Sequence, residues 1–328
     1  MRGAAGKSSW ARRVVQAVLG LGVALAAQAE VRIAVGMQPG SLPIFVAEAQ
    51  GYFAAEGVSV RRLDCAFGKI CLRMALDGQA QLATVADLPI VLAAHAGQRF
   101  GVLATINTNR NDTKIVTRRG SGISRAADLA GRTVGLHVGT TAQFALDTLL
   151  VLDGVDPARV RTVDLQPSEG RERLLARTID AAALFEPYAY EAARALGPDA
   201  LVLGTGRIYT QTWNLVAAGG PAAPPAPAEI DALLRALDRA CAWIQRRPAE
   251  AKALLRERTG VDAGLVEAGW AALDYEVRLD QSLLTLLEGQ SRWAVRQGAV
   301  PPGMPNFLGH LQTAPLRRVR PARVTITE

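Results

Sequence analysis

Histidine and lysine are scarce in this 328-residue chain, which contains three histidines and four lysines. The sequence has no H-E-x-x-H, C-x-x-C, G-x-S-x-G or Walker motif, and no G-x-G-x-x-G segment follows a strand-like run. A histidine-based metal centre, a Ser-His-Asp triad and a Schiff-base lysine therefore have few residues to draw on. These absences argue against an enzyme, and nothing in the sequence indicates a cofactor or a metal.

A strong charge of one sign is also missing once the two ends are set aside. The formal net charge is +7, but residues 1–29 hold four basic side chains and no acid, and residues 315–328 hold four arginines and one glutamate. The rest of the chain has 29 basic and 29 acidic residues, so we expect no nucleic-acid partner. With 49% hydrophobic and 20% charged residues, the composition is that of a globular chain, long enough for two lobes.

Long hydrophobic runs are absent except at the N-terminus, where residues 1–29 have the pattern of a signal peptide. Two arginines precede an uncharged apolar run over residues 14–27, and Ala27 and Ala29 are the small residues that signal peptidase recognises. The run is short for a membrane span, although a retained N-terminal anchor is the alternative interpretation. We expect cleavage after Ala29 and export of the mature chain to the periplasm.

Cysteine is rare as well, with three residues in the chain. Cys65 and Cys71 are close in sequence, and in an oxidising compartment this spacing predicts a short-loop disulfide worth roughly 2–2.5 kcal/mol in the chain-entropy treatment. A shared metal is the weaker alternative, because no histidine or further cysteine lies nearby in the sequence. Cys241 lies in an apolar helical pattern and is predicted to be a buried, unpaired side chain.

Strand-like and helix-like segments alternate with short turns after residue 30, which predicts an α/β fold. Two successive series of such units, followed by helices, predict two lobes, each a mostly parallel sheet flanked by helices. We expect the chain to cross between the lobes near Thr113–Arg119 and Gly204–Thr212. The predicted division is a signal peptide at 1–29, a first lobe at 30–115 and 209–314, a second lobe at 116–208, and a basic tail at 315–328.

Polar residues follow several of the predicted strands, at the point where each strand gives way to a helix. Ligands of α/β sheets bind at these carboxyl ends, and the free N–H groups of a helix start favour an anionic or polar head group. Serine, threonine and aspartate at such positions are more often plain helix caps, so each turn alone is a weak indication. The residues concerned are Gln38 and Ser41, Thr84 and Asp87, Thr140 and Thr141, and Glu186.

Six short motifs stand in order along the chain. They are Gly36-Met37-Gln38-Pro39-Gly40-Ser41-Leu42-Pro43, Ala47-Glu48-Ala49-Gln50-Gly51-Tyr52-Phe53, Ala86-Asp87-Leu88-Pro89, Leu129-Ala130-Gly131-Arg132-Thr133-Val134-Gly135, Gly139-Thr140-Thr141 and Glu186-Pro187-Tyr188. Together they resemble the substrate-binding proteins of ABC importers, in the nitrate/aliphatic sulfonate/taurine-type (NMT1-like) family. The resemblance covers residues 31–305. Its motifs are typical of the family but not of one ligand, and the arginine-rich end has no counterpart.

The resemblance implies a type II periplasmic-binding-protein fold, whose two lobes close over a small ligand and deliver it to an ABC permease in the inner membrane. We expect a monomer. Trp213 would stack on the ligand, or it is simply a buried core residue. Carried over by position, the implied ligand contacts are Gln38, Ser41, Thr84, Asp87, Thr140, Thr141 and Glu186, with Trp213 and Asn214 as additions on the return strand.

None of these implied ligand contacts is arginine or lysine. A doubly charged ligand is therefore disfavoured unless Arg110 or Lys114 reaches the cleft, and His137 at a strand end is a further candidate. Hydroxyls and helix N-termini suit a monoanionic sulfonate, taurine, nitrate or a neutral polar head group. Two alternatives stay open. The family includes thiamine-precursor pyrimidine binders and related synthases, and an exported sensor would present its closed form to a receptor instead of a permease.

Overall fold

The computed structural model describes residues 30–204 and 208–327, so the predicted signal peptide lies outside the described residues. Within these ranges no helix is long and apolar enough to cross a membrane. The strands are β1 Val31–Gly36, β2 Val60–Cys65, β3 Leu82–Ala86, β4 Phe100–Asn109, β5 Thr113–Arg118, β6 Thr133–Leu136, β7 Arg161–Asp164, β8 Ala181–Phe185, β9 Ala200–Gly204, β10 Gln211–Ala218 and β11 Leu273–Asp274. The helices are α1 Leu42–Ala49, α2 Tyr52–Ala55, α3 Gly68–Leu76, α4 Asp87–His95, α5 Thr141–Leu152, α6 Gly170–Leu175, α7 Tyr188–Leu196, α8 Pro227–Arg246, α9 Pro248–Thr259, α10 Ala263–Gly269, α11 Gln281–Arg296 and α12 Thr313–Val319.

Six strands form the sheet of the first lobe, in the order β11-β4-β10-β3-β1-β2. Every residue of β3 and β4 is buried, because helices cover this sheet and its central strands consist mainly of apolar and small residues. β1 runs parallel to β2 and β3, whereas β10 runs antiparallel to β3 and β4. Cys241 of α8 is free and buried in the core of this lobe, as predicted.

The second lobe contains a five-stranded sheet in the order β7-β6-β8-β5-β9. β6 is parallel to β7 and β8, but β5 is antiparallel to β8 and β9. Both sheets are therefore mixed, whereas the sequence pattern predicts mostly parallel sheets. β5 and β10 each begin at the cleft between the lobes, whereas the strands beside them end there. Each is therefore antiparallel to its neighbours.

The chain passes from the first lobe to the second through a short link between Asn109, which ends β4, and Thr113, which begins β5. All of β5 pairs with strands of the second lobe, so the predicted boundary between residues 115 and 116 falls inside a strand and belongs a few residues earlier. The return link runs from Gly204 to Gln211.

The arginine-rich segment 315–328, predicted as a separate tail, packs on the first lobe as far as residue 327. Leu316 and Ile326 are buried in the core of that lobe. Arg318 donates two hydrogen bonds to Asp231 of α8, each of 2.8 Å. Two further ion pairs join Arg320 to Asp238 and Arg323 to Glu276. Carboxylates of the first lobe therefore neutralise much of the charge of this segment.

Candidate functional site

A small cavity lies between the two lobes, where the carboxyl ends of their strands meet. Four of the predicted site residues line it. The lining consists of Gln38, Phe67, Gly68, Lys69, Ala86, Pro89, Thr140, Thr141, Phe185, Gln211 and Trp213.

The indole of Trp213 forms the wall of the cavity on the first lobe. Its ring lies so close to the backbone of two strand-to-helix turns that a Cβ on Gly36, Gly40 or Gly68 would come within 2.9, 2.6 or 3.0 Å of it. Only glycine permits such an approach. Trp213 Nε1 also donates to Ser41 Oγ at 2.9 Å. The ring is thus buried and held in place, and it also lines the cavity. A role in the core and a contact with a ligand are therefore compatible for Trp213.

Ser41 and Thr84 lie behind this wall rather than in the cavity lining. Their hydroxyl oxygens are 3.3 Å apart, and Thr84 Oγ1 accepts a hydrogen bond from the N–H of Gly36 at 3.0 Å. Both side chains are fully buried. Their hydroxyls therefore hold Trp213 and the turn after β1 in position.

Thr140 and Thr141 bring the second lobe to the cavity at the start of α5. Thr140 occupies the N-cap position, yet its hydroxyl makes no capping bond and donates to the carbonyl oxygen of His137 at 2.7 Å. The first N–H groups of a helix have no acceptor within it, so the start of α5 places partial positive charge beside the cavity. This end of the cavity favours a negatively charged group.

Lys69 also lines the cavity, although no sequence motif pointed to it. Its Nζ donates to the carbonyl oxygen of Val138 in the second lobe at 2.8 Å, and it is the one cation in the cavity lining as described. Burial lowers the pKa of this ammonium, and the nearby charge of Asp164 opposes the shift. Lys69 follows β2 at the start of α3, so the strand-to-helix rule applied to this turn would have found it.

The predicted disulfide between Cys65 and Cys71 is confirmed, and it closes the loop that carries Lys69. The same loop places Phe67 across the cleft, in the apolar core of the second lobe. The centre of the Phe67 ring is 5.7 Å from that of Phe185. The bridged loop is therefore one of the parts of the first lobe that contact the second.

Glu186 faces the first lobe with its backbone rather than with its carboxylate. Its carbonyl oxygen accepts a hydrogen bond from Gln38 Nε2 at 3.1 Å, which joins the two lobes. Its carboxylate forms an ion pair with Lys114 and accepts from the N–H of Tyr190 at 2.9 Å. Lys114 and Glu186 line a neighbouring cavity. The Glu186 side chain is therefore engaged within the second lobe.

The three charged candidates Arg110, Lys114 and His137 are not in the lining of the first cavity as described. Arg110 is directed to the surface, where it donates to the carbonyl oxygen of Ala271 at 3.1 Å. The ring of His137 packs edge-on against Phe67. Over residues 30–204 and 208–327 there is also no cluster of three or more histidine, cysteine or acidic side chains that could hold a metal.

Asp87 and Asn214 belong to a buried polar hub, which we define as Asp87, Tyr209, Thr212, Asn214 and Gln290. The Asp87 carboxylate accepts hydrogen bonds from the N–H of Thr212 and from Gln290 Nε2, both at 2.8 Å, and from the Tyr209 hydroxyl. Asn214 donates to the Thr212 hydroxyl at 2.9 Å. Burial raises the pKa of Asp87, and these donors oppose the rise. The hub thus fixes the returning chain to the start of α4 and to α11.

Asp112 and Gln211 join the two links between the lobes. The amide nitrogen of Gln211, when turned toward Asp112, donates to its Oδ2 at 3.0 Å. Burial raises the pKa of Asp112 to about 7, the charge of Glu186 adds to the rise, and Lys114 opposes it. A titratable carboxyl group therefore lies where the lobes meet.

The chain matches the family model described as NMT1/THI5 like over residues 38–251, which is more than half of its length. A Bacillus subtilis protein named for aliphatic sulfonate binding is 22% identical over 240 residues, 72% of this chain and 72% of that protein. A 4-amino-5-hydroxymethyl-2-methylpyrimidine phosphate synthase of Schizosaccharomyces pombe is 28% identical over 123 residues, 37% of this chain and 34% of the synthase.

Among solved structures, the periplasmic aliphatic sulphonate binding protein SsuA from Escherichia coli matches with a TM-score of 0.72 at 20% identity. The match covers 85% of this chain and 96% of that one, which shows that the two share the periplasmic-binding-protein fold. Together with the motifs in the turns around the cavity, the extent of the family match leads to one conclusion: the chain belongs to the NMT1/THI5-like family.

Proposed function

We propose that the chain is the exported solute-binding component of an ABC uptake system, and that it captures a small polar or monoanionic ligand of the sulfonate, taurine or nitrate type. The observation that carries this proposal is the cavity between the strand ends, where the start of α5 and one lysine meet three aromatic rings. Such a site attracts one negative charge and covers a small organic group. The names of the sulfonate-binding relatives support the same ligand class.

The residues fall into two groups in this proposal. Those that touch the ligand are in the cavity lining, and those that position them lie behind it with their polar atoms bonded to protein. The first group is Gln38, Lys69, Thr140, Thr141 and Trp213, and the second is Ser41, Thr84, Asp87, Glu186 and Asn214.

Ligand binding would favour the arrangement in which contacts join the two lobes. Gln38 bonds to Glu186, Lys69 bonds to Val138, and Phe67 enters the core of the second lobe. A ligand held by both lobes favours this closed arrangement, and taking the equilibrium from 1:99 to 99:1 requires roughly 5.5 kcal/mol of differential binding. The closed, monomeric protein would then dock on a permease in the inner membrane.

Thermal unfolding of the chain from Glu30 onward, with a panel of millimolar anions, tests the proposal. A ligand at a hundred times its Kd adds about 2.7 kcal/mol to the free energy of unfolding, so a matching sulfonate, taurine or nitrate should raise the Tm by several degrees. Sodium chloride at equal ionic strength is the control. No shift with any anion would contradict the proposal.

A pyrimidine ligand is the second candidate, and the match to the pyrimidine phosphate synthase favours including it. The rings of Phe67, Phe185 and Trp213 offer faces on which a flat heterocycle stacks. The panel therefore contains 4-amino-5-hydroxymethyl-2-methylpyrimidine. A shift with this compound and with no anion would replace the anion proposal by this one.

A further inference from the structure

Helix α5 contacts the first lobe at the ligand cavity and again farther along its length. Phe144 and Asp147 follow Thr140 and Thr141 at helical spacing, so all four lie on one face of the helix. Phe144 packs against the core of the first lobe, and the centre of its ring lies 5.4 Å from that of Trp293 in α11. Trp293 Nε1 donates to Asp147 Oδ2 at 3.0 Å. We call Phe144, Asp147 and Trp293 the α5–α11 contact.

The carboxyl group of Asp147 is buried at this contact and accepts from one neutral donor. Asp147 is 7% exposed and Trp293 4% exposed. Among residues 30–204 and 208–327, no cation pairs with Asp147. Burial disfavours the charged form of a carboxyl group, and a single neutral donor compensates only in part. Burial accordingly raises the pKa of Asp147 from 3.8 to about 6, and the bond from Trp293 opposes the rise.

The elements packed against α5 carry other charged or titratable side chains. They are Asp87 and His95 of α4, Glu288, Arg292 and Arg296 of α11, Tyr209 of the return link, Lys114 and Arg118 of β5, and Asp128 and Arg159 of two short turns. Burial lowers the pKa of His95, but its Nε2 lies 2.7 Å from Ser291 Oγ within the first lobe. Over the described ranges none of these groups forms an ion pair with Asp147, so burial governs when this carboxyl group takes up a proton.

The α5–α11 contact joins the two lobes, since α5 belongs to the second and α11 to the first. A rotation about the two links that opens the cleft separates Asp147 from Trp293 and returns the carboxyl group to water. We propose that the α5–α11 contact is a proton-linked closing contact, at which the lobes close most readily when Asp147 is uncharged. A group that holds a proton more tightly in the closed form favours that form at low pH.

The sign and range of the effect follow from the two forms. In the open form the pKa of Asp147 returns toward its ordinary value of 3.8, whereas in the closed form it is about 6. The preference for closure is therefore largest below about pH 4 and is lost as the pH rises through about 6. Between pH 7 and pH 5 it grows by about tenfold.

Calorimetric titration of the chain from Glu30 onward with ethanesulfonate and with nitrate, at pH 5, 6 and 7, tests this inference. Both anions keep one negative charge over this range. The test rests on the function proposed above, in which the ligand closes the lobes, so the gain in closure appears in the affinity. We expect binding about tenfold tighter at pH 5 than at pH 7. Repeating the titration at pH 6 in buffers of different ionisation enthalpy should show the uptake of about half a proton.

Asp147→Asn assigns the effect to this carboxyl group, because asparagine keeps an acceptor for Trp293 and stays neutral at every pH. The ratio of the affinities at pH 5 and pH 7 should fall to about twofold or less. Asp153→Asn is the matched control, since Asp153 follows the last residue of α5 and pairs with Arg125 at 3.8 Å within the second lobe. The control should keep the wild-type ratio. An unchanged ratio in Asp147→Asn would overturn the inference.

Trp293→Phe provides a second variant, because phenylalanine keeps an aromatic ring and removes the donor. The indole bond opposes the rise in the pKa of Asp147, so its loss should move the onset of the pH dependence to higher pH. A merely structural role predicts weaker binding at every pH with the onset unmoved. Thermal melts show whether each variant is folded, and this variant decides the matter if Asp147→Asn does not fold.

The outcomes separate the inference from the proposed function. If the anions bind equally tightly at pH 5 and pH 7, the inference is overturned and the proposed function stands. If neither anion binds at any of the three pH values, both are overturned.

Discussion

The polar hub around Asp87 and the cavity between the lobes are built from the same kind of residue in the same kind of place. Both use buried polar side chains near the ends of strands. In the hub, protein donors occupy both carboxylate oxygens of Asp87. In the cavity lining, Gln38 has a side-chain oxygen, Oε1, without a partner within the described ranges. A strand end therefore brings a polar residue to the cleft, but the neighbouring donors decide whether it serves the fold or a ligand.

Removal of the Asp87 carboxylate should have the largest effect on stability. Asp87→Ala leaves the N–H of Thr212, the Gln290 amide and the Tyr209 hydroxyl without their acceptor in a buried site. We expect a loss of about 3–5 kcal/mol in the free energy of unfolding, measured in urea, with little change in ligand affinity while the variant is folded. Near-normal stability with lost binding would instead make Asp87 a ligand residue.

The Asp112 carboxyl group, between the hub and the cavity, should make stability depend on pH. Its pKa is raised from 3.8 to about 7 in the folded protein, so the folded state keeps a proton that the unfolded chain releases. The contribution of this group to the free energy of unfolding is therefore largest below about pH 4. It falls by about 1.4 kcal/mol per pH unit up to about pH 7.

Asp112→Asn tests this dependence, because asparagine stays neutral at every pH. Urea unfolding at several pH values between 4 and 8 should show a shallower decline for the variant than for the wild type. Parallel curves of unfolding free energy against pH for the variant and the wild type would exclude Asp112 as the source of the pH dependence.

Phe67 and Phe53 offer a matched pair of aromatic side chains, each 6% exposed. Phe67 enters the core of the second lobe from the first, whereas Phe53 stays within the core of its own lobe. Phe67→Ala should weaken the closed state by about 1–3 kcal/mol, and ligand affinity by about 5- to 150-fold. Phe53→Ala should lower stability and leave the calorimetric affinity within about twofold. Equal effects on affinity would remove Phe67 from the closing contacts.

Short-range sequence patterns predicted much of the fold. Cys65 and Cys71 are close in sequence, so their pairing needs little knowledge of the tertiary structure. The strand-to-helix rule likewise selected Gln38, Thr140 and Thr141, which meet at the cavity. The direction of β5 and the docking of residues 315–327 depend on partners far away in the sequence, and local patterns do not contain that information.

Prediction of the site is limited in the same way, because the partners of its residues are distant in the sequence. Asp87 satisfied the rule for strand ends, yet its donors include Thr212 and Gln290, which are more than a hundred positions away in the sequence. Lys69 lies at a strand-to-helix turn where the same rule applies, but its bond to Val138 depends on a partner far away in the sequence. Phe67 has no polar group for the rule to select, and its place in the core of the second lobe depends on the tertiary structure.

Calorimetric titration of the Thr140→Ala, Thr141→Ala double variant, with the tightest ligand of the panel, tests most directly that the ligand binds between the lobes at the start of α5. Both hydroxyls are lost and the backbone N–H groups remain. Because the Thr140 hydroxyl already donates to His137, the hydrogen bond at stake is that of Thr141. We therefore expect affinity to fall by about twofold to tenfold while the unliganded free energy of unfolding falls by only about 1 kcal/mol. Unchanged affinity with clearly lower stability would contradict this expectation, because the threonines would then only hold the helix start.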